Sequence, residues 1–115
     1  MTSPFEELLT RVTRLRGVLG CIVVGESDGI IVDASVQVGV EGQVVAALAA
    51  ALYRRARITS EAAGLASVAF LQLEAERGHV CAAGRDGLVI VALTEARAPI
   101  GTIRAAMLQS VEALA

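Results

Sequence analysis

The sequence predicts a single α/β sandwich: one five-stranded antiparallel sheet, ordered 2-1-5-4-3, between two layers of helix. Three observations lead there. Five short β-branched runs are joined mostly by Asp-Gly or Arg-Gly turns, as in Asp28-Gly29, Arg77-Gly78 and Asp86-Gly87. Three helical segments occupy the start, the middle and the end of the chain. The two most continuously apolar strands, residues 18–26 and 88–94, belong at the centre of the sheet, side by side.

Taken in order, the first element is a helix over residues 4–16. Ser3 stands at its N-cap, Pro4 at its first position and Glu6 at the far side of a Ser-x-x-Glu capping box. Phe5, Leu8, Leu9, Val12 and Leu15 share one face, and Gly17 stops the helix. Strand one, residues 18–26, turns through Ser27-Asp28-Gly29 into strand two, residues 30–35. A loop over residues 36–41 leads into a long helix, residues 42–65. Strand three covers residues 67–76, strand four 79–84 and strand five 88–94. The last helix runs from Pro99 to Leu114 with Ile100, Ile103, Met107, Val111 and Leu114 facing inward.

Short turns make neighbours antiparallel, and only the long helix crosses between the two strand groups. The terminal helices therefore share one face of the sheet, and the central helix has the other to itself. Strands two and three are left at the edges. The central helix is the anomaly. Every residue from Val44 to Leu52 is apolar, where a surface helix carries a polar side. The sheet covers one side of it, and the other side needs cover from elsewhere.

The 115 residues form one domain over the whole chain, 1–115, long enough for its own core. Apolar residues make up 55% of it, above the ~45–50% usual in soluble domains. Aromatics are scarce, so either the core is fine-grained or apolar surface is left for a partner. No run approaches the ~20 residues that span a bilayer. The acidic start lacks a signal-peptide n-region, and a cytoplasmic protein without membrane contact is expected. A net charge of −2 argues against nucleic acid as a partner. All ten basic residues are Arg, so neither a P-loop lysine nor a Schiff-base lysine exists here.

Catalytic constellations are sparse. His79 is the only histidine, and Cys81 shares its strand face, yet no nucleophile motif surrounds them. Cys21 and Cys81 stand in apolar runs without metal spacing, which reads as two buried reduced thiols. Glu26, Asp28 and Asp33 belong to a turn, and lack the spacing of a calcium loop. Gly17, Gly20 and Gly25 match no dinucleotide fingerprint. Arg11, Arg14 and Arg16 suit the C-terminal end of a helix. Arg54, Arg55 and Arg57 sit mid-helix beside the all-apolar turns, where they either solvate the helix or meet a partner. No catalytic residue, cofactor or metal ligand is expected.

The order of elements resembles the roadblock family, the dynein light chain and MglB-type regulators of Ras-like GTPases. So do the Asp-Gly hairpin after an apolar first strand, the Ala-rich middle helix and the Pro99-Ile100-Gly101 start of the last helix. The resemblance spans Leu8 to Leu114 and implies a profilin-like sandwich. It also implies a homodimer in which the third strands pair antiparallel and the middle helices pack together. Ala47, Leu48 and Ala51 on the helix, with Ala69, Leu71 and Leu73 on strand three, are then the expected dimer interface. Tyr53, Arg54, Arg55 and Arg57 are the expected partner-binding residues. The implied function is non-enzymatic: a regulator or binding partner of a small Ras-like GTPase that stimulates GTP hydrolysis. The alternative is a structural adaptor in a signalling or motor complex. A small enzyme or ligand-binding protein would instead need a polar pocket around His79.

Overall fold

The structure is a computed structural model, and it describes residues 3–114. The elements are α1 (Glu6–Thr13), β1 (Val18–Gly25), β2 (Ile31–Val36), α2 (Gly42–Ala62), β3 (Leu71–Ala75), β4 (Gly78–Arg85), β5 (Leu88–Glu95) and α3 (Ile100–Val111). A 3₁₀ turn (Glu112–Leu114) closes the chain. The sheet is antiparallel throughout and ordered β2-β1-β5-β4-β3, as the sequence predicts.

Period-two alternation in β1 divides the core in two. Cys21 and Val23 face one side, where α1 contributes Leu8, Leu9 and Val12 and α3 contributes Ile103 and Met107. Ile22 and Val24 face the other, where α2 presents Ala46, Ala49, Ala50 and Tyr53. Both strand faces are therefore apolar, which is why β1 and β5 read as unbroken hydrophobic runs. Among the described residues no helix is long and apolar enough to cross a membrane.

Element ends differ from expectation for local reasons. Glu6 donates its backbone N–H to Ser3 O (3.2 Å), making a turn of Pro4 and Phe5, and α1 begins only at Glu6. Ser3 Oγ accepts from Phe5 N at 3.1 Å, so it caps that turn and no capping box with Glu6 forms. At the far end of α2, Gly64 takes φ +77°, its N–H reaches Glu61 O, and Leu65 N reaches Ser60 O. This double closure is a Schellman motif, and it ends the helix at Ala62, short of residue 65. The β4–β5 turn uses Asp86 at φ +53° and Gly87 at φ +82°, the two positive angles a type I′ hairpin demands.

β3 is shorter than predicted, five residues against ten. Ladder pairing begins at Leu71↔Ala82. Before it, Ala66 sits at φ +63° and the carbonyl of Val68 is turned toward the Tyr53 hydroxyl rather than along the ladder. Ala69, expected within the strand, lies in this irregular lead-in.

Candidate interaction surface

The outer side of α2 is a stripe of unpartnered apolar side chains. Val44 is 52% exposed, Leu48 66% and Ile58 52%, with Ala47 and Leu52 beside them and Ala51 half-covered. The only charge on this face is Arg55, which is exposed and makes no side-chain hydrogen bond among the described residues. The inner side repeats Ala46, Ala49, Ala50 and Tyr53 at helical spacing, and these small residues seat the helix close on the sheet. A contiguous apolar strip on a chain of this size is the mark of an interaction site.

β3 forms one edge of the sheet. Leu71 pairs with Ala82 and Leu73 with Val80, and both partners belong to the α2-side core. Leu71 is half-buried there and is already a core residue of its own chain, whereas Leu73 is 41% exposed. Pairing closes at Ala75↔Gly78, so alternate residues Gln72 and Glu74 direct their backbone N–H and C=O groups outward. The five pairs run without a bulge, so the edge is regular as well as open.

The expected partner-binding residues separate into two groups. Tyr53 is not on the surface: it is 3% exposed, and its hydroxyl donates to Val68 O (3.3 Å) and Gly84 O (3.5 Å). Gly84 has no side chain because a Cβ there would meet the Tyr53 ring at 2.9 Å. Burial raises the phenol pKa above its ordinary value of 10.0. Its burial was readable: Ala46, Ala50, Tyr53 and Arg57 fall at four-three-four spacing on one stripe.

Arg54 and Arg57 are occupied within the chain. Arg54 donates from one guanidinium nitrogen to the backbone carbonyls of Glu26 (3.3 Å) and Ser27 (3.2 Å). Arg57 binds Glu26 Oε1 through Nε (2.8 Å) and a terminal nitrogen (2.7 Å), and reaches Glu61 at 3.4 Å. Hydrogen bonding to Glu26 raises the proton affinity of Arg57 further. A pairing across 31 residues leaves no periodic signal, so nothing in the sequence marks Glu26 as its partner. Of the four, Arg55 alone is free to meet another molecule. Glu26, Tyr53, Arg54, Arg57, Arg85 and Asp86 line a cleft of about 680 Å³ at one end of the sheet. Two of its arginines are paired with carboxylates, Arg57 with Glu26 and Glu61 and Arg85 with Asp86.

His79 is a structural residue. It is buried, Nε2 lies 3.0 Å from Ala96 O and Nδ1 lies 3.4 Å from Gln72 Nε2, an arrangement satisfied by the neutral Nε2–H tautomer. Cys21 and Cys81 are buried free thiols. Among the described residues no cluster of three or more His, Cys, Asp or Glu side chains is placed to hold a metal ion.

The profile of the Roadblock/LC7 domain matches residues 4–94. An uncharacterized protein of Methanocaldococcus jannaschii, MJ0714, is 30% identical over 105 residues, which is 91% of this chain and 88% of that protein. A Roadblock/LC7 domain from Streptomyces avermitilis superposes with a TM-score of 0.86 at 16% identity, over 97% of this chain and 95% of that one. The gliding protein MglB of Thermus thermophilus gives 0.84 at 17% identity, over 99% and 90%. An MglB in a tetrameric arrangement gives 0.85 at 17% identity, over 99% and 89%.

Proposed function

Because the chain belongs to the Roadblock/LC7 family, we propose that it is a non-enzymatic, self-associating regulator of a small Ras-like GTPase. The observation that carries this reading is the bare outer stripe of α2, with the open edge of β3 as its complement. Two copies related by a two-fold axis pair their β3 edges antiparallel, which satisfies the outward groups of Gln72 and Glu74. The same axis brings Ala47, Leu48 and Ala51 of the two α2 helices together, small side chains allowing close approach. Leu73 joins this contact, Leu71 backs it from the core, and Ala69 lies at its margin. The tetrameric arrangement of one MglB structure supports self-association as a habit of this fold. Two buried reduced thiols suit a cytoplasmic setting.

The GTPase meets the exposed Arg55 at the rim of the paired helices, while Arg54 and Arg57 brace the helix from behind. GTP turnover by a Ras-like GTPase of the same organism, with and without this protein, is the test. Stimulated turnover that is lost in Arg55→Glu, with dimer mass unchanged, is the expected result. Binding with no change in turnover reassigns the protein as an adaptor. No binding by the native protein removes the GTPase reading.

A further inference from the structure

The sheet has two edges, and they are not alike. In β2, Gln37 N donates to Leu19 O at 3.2 Å, so the pairs Cys21↔Ser35 and Val23↔Asp33 are the hydrogen-bonded ones. Ala34 and Val36 therefore turn their backbone groups away from β1, toward the outer edge. The outward N–H of Ala34 is not free: Asp33 Oδ1 accepts it at 2.8 Å. The β1–β2 register also slips between Val23 and Val24, next to Val32, which bends the strand away from straight pairing. β3 has neither device.

The apolar surroundings make such a device necessary. Ile30 is 64% exposed, Val32 is 50% exposed, and Val36 and Val38 follow on the same edge segment. An edge strand with apolar side chains and free donors is a template for pairing with another chain. We infer that Asp33 blunts this edge by covering the Ala34 donor, so that β2 does not pair with another chain. Removing the side-chain acceptor at position 33 opens β2, and molecules then join through a second edge. The inference does not need the proposed β3 pairing. If the native protein is dimeric, opening β2 links dimers into chains; if it is monomeric, the same change yields pairs.

The test is mass by sedimentation for the native protein, Asp33→Ala and Asp33→Asn at matched concentrations. Asn keeps an Oδ1 acceptor and loses only the charge. At least a doubling of mass for Asp33→Ala, with Asp33→Asn unchanged from native, is expected. Native mass for folded Asp33→Ala overturns the inference, as does an equal increase in Asp33→Asn, which would trace the effect to charge. If Asp33→Ala is insoluble, Asp33→Ala combined with Ala34→Pro decides, because proline is tolerated on an edge and removes the same outward N–H. Return to native mass supports the cap, and continued insolubility overturns it.

Discussion

Cys21 and Cys81 stand on either side of Ala92 in one row across the sheet, each opposite it in its own ladder. Two strand spacings put their Cα atoms about 10 Å apart, beyond the reach of a disulfide. Burial pushes Cys21 up to about 12 and Cys81 up to about 11, from an ordinary 9.0. Each thiol is thus harder to ionise in the folded state than in the unfolded one. Below pH 9 both states keep the proton and nothing is lost. Above it the unfolded chain ionises first, so stability falls as pH rises from about 9 toward 11–12, approaching about 1.4 kcal/mol per pH unit for each thiol. The Tyr53 phenol acts in the same direction above 10. The urea midpoint is expected to drop on passing from about pH 8 to about pH 10.5, and Cys21→Val is expected to flatten that drop. An equally steep fall in Cys21→Val would show that the thiol does not contribute. The thiols were legible in the sequence because they interrupt nothing in their apolar runs. The burial of Tyr53 was legible too, but only by weighing its spacing above its hydroxyl.

At the scale of elements, the strands and their order were readable because each turn carries its own chemistry, Asp28-Gly29 and Asp86-Gly87 above all. What escaped was decided by distant partners. Residues 67–70 have the composition of a strand, yet Val68 O is drawn to Tyr53 and the ladder starts later. Arg54 and Arg57 look like solvated helix charges until the β1–β2 turn is placed against them. Nor does composition distinguish the two edges, since the Asp33–Ala34 bond and the register slip of β2 depend on how the strand is placed. For β3 the geometry gives a clean probe. Glu74 is exposed and its N–H points outward, so Glu74→Pro removes an outward donor while leaving the β4 ladder intact. The variant is expected to be monomeric with unchanged circular dichroism. A dimer of native mass would exclude β3 as the pairing edge. Leu71 is a poorer choice for this purpose, because it is packed in its own core.

The whole molecule keeps much of its excess apolar content in three places. The first is a fine-grained interior, with alanines between helix and sheet; the second is the outer stripe of α2, and the third is the β2 edge segment. Only the first is satisfied by folding of a single chain. If the second is covered by a copy of the same chain, folding and association are one equilibrium, and thermal stability depends on protein concentration. The melting temperature is expected to rise across a hundredfold dilution series read from dilute to concentrated (on the order of a few degrees). A constant value at constant mass would mean that the stripe is left for a different protein.

The ties from Arg54 and Arg57 to Glu26 and Ser27 give the molecule a mechanical property. The middle of α2 and the tip of the β1–β2 hairpin are bolted together at four hydrogen-bonding points. Gly29, farther round the same tip, lies against Ala47 so closely that even a methyl group there would crowd the helix backbone at 3.1 Å. Helix and tip are therefore joined on two sides, and any displacement of α2 has to carry Glu26 and Ser27 with it or break these bonds.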